Sequence, residues 1–168
     1  MRYVLMHVSD LHAGPPFNPA LARQLAQEAH ELRPDLLVVS GDLVQRADFP
    51  HQWAVITAYL RTLPDPKLIV PGNHDVPLFN AFNRVFRPLS VYRRHISENV
   101  NPVFERPGLV VVGGNTAHGL TVDGGYMSRS QMATIERIFQ RYPDSTCKVA
   151  VLHHHVVNPP GSSGRRKI

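Results

Sequence analysis

Three short apolar runs in the first half of the chain alternate with two segments of helical periodicity. The runs cover residues 3–8, 35–40 and 67–70, and each is short and continuous, as in a strand that is buried on both faces. Between them, apolar residues recur at three- and four-residue spacing, which predicts helices over 19–33 and 51–63. The order β-α-β-α-β predicts a parallel sheet with right-handed crossovers, and therefore an α/β fold.

The apolar pattern in the second half of the chain predicts two helices and two strands. Aromatic and aliphatic residues suggest an amphipathic helix over 78–87 that ends at Pro88, and then a strand over 109–112. A longer helix, capped by Ser128 or Ser130, is followed by a buried strand over 148–152. We expect the apolar stripe of that helix to pack in the core, and Cys147 to be a small buried side chain. The stripe consists of Met132, Ile135, Ile138 and Phe139.

Each of the first three strands ends in polar side chains that can bind a metal. Asp10 and His12 follow the first strand, Asp42 follows the second, and Asn73-His74-Asp75 follows the third. The carboxyl ends of parallel strands line one crevice, where ligands of open α/β sheets bind. In an extended segment, residues two apart point to the same side, so Asp10 and His12 are expected to converge. Taken singly, each motif also fits a turn or a helix cap.

The last strand leads into three consecutive histidines, His153-His154-His155. If this exit is strand-like, His153 and His155 share one face and His154 lies on the other. Imidazole and carboxylate groups together suit Mn, Fe or Zn. A plain surface loop is the alternative interpretation of the triplet.

Composition limits the class of protein. The chain has 168 residues, 43% of them hydrophobic and 18% charged, which is ordinary for one globular domain with a real core. It contains no apolar run of the roughly 20 residues that a membrane helix needs, and its first residues do not form a signal peptide. A single cysteine excludes an internal disulfide framework. We therefore expect a cytoplasmic protein without membrane contact.

The net charge of +5 favours anionic partners, phosphates among them. Three of the positive charges lie in the tail, Arg165-Arg166-Lys167, so the charge alone gives little support for nucleic acid as a partner. A second group of arginines lies between the third and fourth strands and could reach a substrate phosphate, although a solvated basic face explains each one as well. These are Arg84, Arg87, Arg93 and Arg94.

The ordered set of motifs resembles the calcineurin-like metallophosphoesterases. Asp10-x-His12, Gly41-Asp42 and Gly72-Asn73-His74-Asp75 occur in the family's order and spacing, and the continuation Val76-Pro77 is similar to the bacterial class III cyclic-nucleotide phosphodiesterase-like branch. The resemblance implies one domain over residues 1–168, built as a four-layer αββα sandwich of two sheets flanked by helices. It also implies two divalent metal ions, Mn, Fe, Zn or Co, that act on phosphate esters.

The same resemblance assigns roles to individual residues. It implies that Asp42 bridges the two metals and that His74 faces the substrate as an acid or charge stabiliser. From its adjacency alone, we expect Asp75 to orient His74. The first histidine after the last strand would bind the second metal, which carries over to His153, with His154 as the fallback. The implied metal ligands are Asp10, His12, Asp42, Asn73 and His153 or His154.

One part of the family's pattern is missing. The pattern continues to a terminal Gly-His-x-His, whose two histidines each bind a metal, and no such motif occurs in these 168 residues. We therefore expect a truncated domain with an incomplete second sheet. Exposed strand edges and apolar surface would then favour a homodimer or a swapped oligomer.

The sequence leaves three functions open. The first is a metal-dependent phosphodiesterase for a small phosphodiester, such as a cyclic nucleotide or a glycerophosphodiester. The second is a nuclease or a nucleotide or lipid pyrophosphatase of the same family. The third is a truncated, catalytically impaired domain that still binds metal.

Overall fold

A computed structural model describes residues 2–120 and 122–157 of the chain. None of its helices is both apolar enough and long enough to cross a membrane, for the residues described. The elements are β1 (Leu5–Val8), α1 (Pro19–Leu32), β2 (Leu36–Ser40), α2 (Pro50–Leu60), β3 (Lys67–Val70), a 3-10 turn (Asn73–Asp75), α3 (Ala81–Phe86), α4 (Ser90–His95), β4 (Val103–Arg106), β5 (Leu109–Gly113), α5 (Arg129–Gln140) and β6 (Cys147–Val151).

The strands form two sheets of three strands each within the described residues. In the first sheet, β1, β2 and β3 are all parallel, with Val8 beside Val39 and Ser40 beside Val70. This register brings the three carboxyl ends to one edge, as the sequence predicts. In the second sheet, β5 lies between an antiparallel β4 and a parallel β6. Strand β4 was not predicted, because it is short, largely exposed and half charged.

The two sheets pack face to face and helices cover their outer sides. One face of β2 belongs to the core formed with α1 and α2, whereas Leu36 and Val38 on its other face join Leu109 and Val111 of β5. Helix α5 lies against the second sheet, and Gln131 at its start donates a hydrogen bond to a carbonyl in the loop after β5. The resulting layer order confirms the predicted αββα sandwich.

The segment after β3 differs from the prediction. The expected helix over 78–87 is only Ala81–Phe86, capped by the Asn80 side chain, which accepts from the Asn83 backbone N–H. A further helix, α4, follows Pro88 and was missed because its sequence is rich in charge. Tyr92 anchors it, since this buried side chain donates to the Ile69 carbonyl of β3 at 3.0 Å.

Two burial predictions in the second half of the chain are wrong. The capping of α5 by Ser128 is confirmed, but none of the helix's residues is buried, and Met132 is 48% exposed. Its apolar stripe faces the outer side of β6 across an open groove of about 700 Å³. Cys147 is also exposed, because it is the first residue of β6, which is the outermost strand of its sheet in the described chain.

Candidate metal centre

The loops that leave β1 and β2 run side by side and place the first two predicted ligands next to Asp42. The backbone N–H of Asp10 donates to the Gly41 carbonyl at 3.2 Å, and that of His12 donates to the Asp42 carbonyl at 2.9 Å. These hydrogen bonds extend the pairing of the two strands beyond their carboxyl ends. The sequence places the ligands in the loops, and this pairing brings them together.

The backbone is strained at three of the predicted ligands. Asp10, His12 and Asp42 have φ values of 56°, 47° and 52°, and the only other non-glycine residue with positive φ in the described chain is Arg33, at the end of α1. This region is unfavourable for L-residues and is typical of functional sites. Asp10 and His12 therefore converge through a left-handed turn rather than through the extended segment that was predicted.

The carboxylate of Asp42 lies at the middle of the site and is only 4% exposed. Its Oδ2 lies 3.6 Å from Nε2 of His12 and 3.9 Å from Nε2 of His74, whereas its Oδ1 lies 3.3 Å from Nε2 of His153. The two oxygens thus face two groups of candidate ligands, His12–Asp42–His74 and Asp10–Asp42–His153, and within each group the ligand atoms lie within 4.8 Å of one another.

His153 is oriented as a metal ligand. Its Nδ1 lies 2.8 Å from the Ser40 carbonyl, which places the proton on Nδ1 and leaves the lone pair on Nε2. That lone pair faces Oδ1 of Asn73 at 3.1 Å and Oδ1 of Asp42 at 3.3 Å. In this tautomer, three electron-rich atoms lie close together, and a cation between them removes their mutual repulsion. The arrangement therefore fits a divalent cation held by these three residues.

The His12 side of Asp42 also fits a cation. His12 Nε2 lies 3.6 Å from Oδ1 of Asp10 as well as 3.6 Å from Oδ2 of Asp42. Its other nitrogen, Nδ1, is buried and has no hydrogen-bond partner in the described structure. Mixed imidazole, carboxylate and amide donors suit Mn, Fe, Zn or Co. Four of the predicted ligands, Asp10, His12, Asn73 and His153, thus surround the buried carboxylate of the fifth, Asp42.

Two glycines leave space for the candidate ligands to approach one another closely. A Cβ at Gly72 would lie 2.2 Å from Oδ1 of Asp42, and a Cβ at Gly41 would lie 2.6 Å from Nδ1 of His153. Gly41 also has a φ of +85°, which glycine adopts without strain. The glycines of the Gly-Asp and Gly-Asn-His-Asp motifs are therefore required by the close approach of the two ligands.

Asp75 does not orient His74, contrary to the expectation. Its side chain is fully buried and accepts hydrogen bonds from the backbone N–H groups of Leu43, Val44 and Gly72, at 2.9, 3.2 and 2.9 Å. Burial raises the pKa of Asp75 to about 8, the charge of Asp42 adds to this, and the three hydrogen bonds oppose it. Asp75 thus ties the loop after β2 to the loop after β3.

His74 is held by groups that the sequence analysis did not select. Its Nδ1 lies 2.7 Å from Nη1 of Arg46 and 2.8 Å from the Gln45 carbonyl, and its backbone N–H donates to Oδ1 of Asp42 at 2.9 Å. Its ring meets that of His12 edge to face, with centroids 4.7 Å apart. The only signal for Arg46 in the sequence is a cation four residues after the Asp42 ligand.

His154, the fallback ligand, lies outside both ligand groups. Its Nδ1 is 2.7 Å from Oγ1 of Thr116, in the loop after β5. Burial lowers the pKa of His154 to about 4, with the neighbouring His153, His118 and His155 adding to this and Asp123 opposing it. The structure therefore places the first histidine of the triplet in the centre and the second beside the next loop.

A small pocket of about 90 Å³ adjoins the metal centre. Asn73, His74, Arg46 and Arg84 line it together with one carboxylate residue, Asp123. Of the four arginines singled out in the sequence, Arg84 is the one that lines this pocket, and its Nη1 donates to the Pro77 carbonyl at 2.8 Å. Arg93 instead pairs with Glu98 at the surface, 3.6 Å away. Two arginines against one aspartate leave a net positive charge beside the centre, which favours an anionic ligand.

Comparison with known proteins identifies the fold and the family. A purple acid phosphatase from yellow lupin (Lupinus luteus) seeds has a similar fold, with a TM-score of 0.65 and 14% sequence identity over 92% of this chain. This chain spans 31% of that protein. No curated protein sequence matches the chain. The family model of the calcineurin-like phosphoesterases matches residues 3–167. The chain therefore belongs to the calcineurin-like phosphoesterase family, whose members are metal-dependent phosphoester hydrolases.

Proposed function

We propose that the protein is a dinuclear metal-dependent phosphodiesterase that hydrolyses a small phosphodiester, such as a cyclic nucleotide or a glycerophosphodiester. The observation that carries the proposal is the position of Asp42. One buried carboxylate presents its two oxygens to two different groups of ligands, as a carboxylate that bridges two cations must do. The family membership supports phosphoester hydrolysis as the reaction.

The ligands divide around Asp42. His12 would complete one site with Asp42, and Asn73 and His153 would complete the other. Asp10 reaches both, because its Oδ1 lies 3.6 Å from Nε2 of His12 and its carboxylate also groups with Asp42 and His153, and we assign it to the His12 site. Divalent cations bound there supply Lewis acidity, which neutralises phosphate charge and acidifies water. Because Asn73 contributes a neutral amide oxygen, the site keeps more positive charge than it would with a carboxylate at that position.

The residues around the adjoining pocket would contact the substrate. His74 borders both the metal centre and the adjoining pocket, so its Nε2 can serve as an acid or charge stabiliser for a substrate oxygen. The cations Arg46 and Arg84 favour a phosphate at the pocket. The apolar side chains of Val76 and Leu78 line the same pocket and suit an organic substituent on that phosphate. This combination fits a phosphate monoester as well as a diester, so the assay below compares the two.

The test measures metal content and turnover together. The chain is loaded with Mn²⁺, dialysed, and assayed with bis(p-nitrophenyl) phosphate, p-nitrophenyl phosphate and single-stranded DNA, with Asp42→Ala as the control for contaminating phosphatases. We expect two metal ions per chain and faster hydrolysis of the diester than of the monoester. DNA cleavage that outpaces the small diester would replace the proposal with a nuclease. One or no metal ion and no turnover would replace it with an impaired metal-binding domain.

A further inference from the structure

We propose that α3 and the residues beside it form a docking surface for an anionic lipid bilayer, with phenylalanines inserted at the headgroup level and arginines bound to lipid phosphates. The proposal concerns the outer side of the helix and does not rest on the proposed function. It departs from the expectation of no membrane contact, which followed from the lack of a spanning segment. A contact with the bilayer surface needs no helix that crosses it.

Helix α3 turns its apolar side outwards. A surface helix normally packs its apolar side against the core, but no residue of α3 is buried. Phe82, Val85 and Phe86 share one face through their three- and four-residue spacing, and they are 62%, 53% and 69% exposed. Asn83 and Arg84 are half-buried instead. The polar side of the helix therefore faces the protein and the apolar side faces solvent.

Further aromatic rings enlarge this apolar surface. The rings of Phe82 and Phe86 have centroids 5.0 Å apart. Phe79, just before the helix, is also exposed, and its ring centroid lies 6.1 Å from that of Phe49, at the start of α2. Exposed apolar groups that cluster mark an interaction surface, whereas single exposed side chains are ordinary.

Hydrogen bonds hold the segment that carries these phenylalanines. The carboxylate of Asp48 accepts from the backbone N–H groups of residues 78–80, at 2.7 to 3.3 Å. The side chain of Asn80 then accepts from the Asn83 N–H at 2.9 Å and caps the helix. The negative charge of Asp48 is directed at these main-chain donors, and the exposure of the apolar side is a consequence of how the segment is anchored.

The charge around α3 favours anionic lipid as the partner. Residues 76–97 contain four arginines and no aspartate or glutamate, and Arg87 and Arg94 are exposed. Exposed arginines strengthen binding to an anionic bilayer, and phenylalanines bury apolar area at the boundary between headgroups and acyl chains. A second copy of this chain fits less well, because it would bring the arginines of two such surfaces together without an acid between them.

The position of α3 connects this surface to the metal centre. Arg84, on the inner side of the helix, lines the pocket that adjoins the centre. A bilayer bound to the outer side would therefore hold that pocket within one helix diameter, about 10 Å, of the lipid headgroups.

The first test measures binding to vesicles by flotation. The chain is loaded with Mn²⁺, dialysed, and mixed with vesicles of phosphatidylcholine and phosphatidylserine in equal parts, or of phosphatidylcholine alone. We expect binding to the mixed vesicles to be tighter by about tenfold or more, and to weaken as NaCl is raised. Absence of binding to the mixed vesicles, or equal binding to both kinds, would overturn the proposal.

Variants locate the contact. Phe82→Glu and Phe86→Glu should each weaken binding to the mixed vesicles by about tenfold or more, because each loses buried apolar area and adds a repelled charge. Arg87→Gln should weaken it about fivefold. Leu32→Glu and Arg23→Gln, both exposed on α1, are the matched controls and should bind nearly as the wild type does.

Two other occupants or sites are distinguished by the same variants. The basic tail, Arg165-Arg166-Lys167, is identical in all of them, so vesicle binding that persists in Phe82→Glu would belong to another part of the chain and would overturn the proposal. A wild type that does not bind vesicles, and that sediments as a dimer which Phe82→Glu converts to a monomer, would assign the surface to a second copy.

The second test measures insertion with Phe82→Trp. Trp53 is the single native tryptophan and is fully buried, so a change in emission on adding vesicles reports the new side chain. We expect a shift to shorter wavelength and quenching by brominated phosphatidylcholine in the mixed vesicles, and neither in Leu32→Trp. Unshifted emission from vesicle-bound protein would overturn the proposal. Neither test uses turnover, so a failure of the proposed function is distinguishable from a failure of this one.

Discussion

The Oδ1 atom of Asp42 lies 3.3 Å from Nε2 of His153, although the two residues follow strands in different sheets. Asp42 leaves β2 and His153 follows β6, so the metal centre joins the edges of the two sheets. The other candidate ligands beside Asp42, namely Asp10, His12 and Asn73, all lie in loops that follow strands of the first sheet. Asp42 is therefore the residue through which these ligands meet His153 of the second sheet. Removal of Asp42 should therefore have a different effect from removal of any residue that only borders it.

We predict that Asp42→Ala loses metal, whereas His74→Ala keeps metal and loses most turnover. Asp42 supplies an oxygen to both ligand groups, whereas Nε2 of His74 lies 3.9 Å from that carboxylate and His74 also lines the adjoining pocket. Metal content after dialysis and kcat with bis(p-nitrophenyl) phosphate measure the two effects separately. Equal loss of metal in both variants would show that His74 is a ligand and that this division of roles is wrong.

A matched pair of glycine variants tests the close approach at the centre. Gly41 and Gly108 have nearly the same φ, +85° and +80°, so Ala should cost each about 1–2 kcal/mol of backbone strain. A Cβ at Gly41 would in addition lie 2.6 Å from Nδ1 of His153, whereas nothing lies within 4 Å at Gly108. We expect Gly41→Ala to weaken metal binding at least tenfold by calorimetric titration, and Gly108→Ala to bind normally. Equal affinities would contradict the contact.

The buried Asp75 predicts a pH dependence of stability for the metal-free chain. Burial, more than the charge of Asp42, raises the pKa of Asp75 from 3.8 to about 8. Between these values the folded state holds a proton that the unfolded state has released, so the free energy of unfolding falls as pH rises from about 4 to about 8, by at most about 1.4 kcal/mol per pH unit.

Urea denaturation in EDTA across this range, compared with Asp75→Asn, isolates the effect, because all other titrating groups are shared. The variant should be less stable at low pH, since its amide nitrogen cannot accept from the Gly72 N–H that the carboxylate binds at 2.9 Å. It should also lack the fall in stability towards pH 8. Parallel curves for the two proteins would show that Asp75 is ionised in the folded state throughout.

The partly exposed apolar stripe of α5 predicts self-association. Met132, Ile135 and Phe139 line an open groove beside β6, whose outer edge is unpaired within the described residues, and surfaces of this kind favour contacts between chains. We expect the sedimentation coefficient to rise with concentration in the wild type and to stay constant in Ile135→Glu. Leu32→Glu, exposed on α1, is the control. Sedimentation of the wild type as a monomer at every concentration would remove this prediction.

The local sequence determined the three strands of the first sheet and the two helices between them. It also determined which residue types follow the carboxyl ends of these strands. Buried parallel strands form continuous apolar runs, and the polar groups must then fall in the loops, so the positions of Asp10, Asp42 and Asn73 could be predicted without a structure. The first histidine of the triplet could also be selected by family resemblance. Elements with exposed or charged sequences, such as β4 and α4, gave no comparable signal.

Only the tertiary structure decided which side chains meet. Whether Asp75 orients His74 or ties two loops together depends on backbone N–H groups of Leu43 and Val44, which no side-chain pattern reveals. The contact of Arg46 with Nδ1 of His74 depends in the same way on how the loop after β2 turns beside the one after β3. The sequence by itself determined the chemistry available at the sheet edge, because strand and loop propensities are local. The arrangement of these side chains was decided by the packing of the two sheets, because their hydrogen bonds join residues that are distant in the sequence.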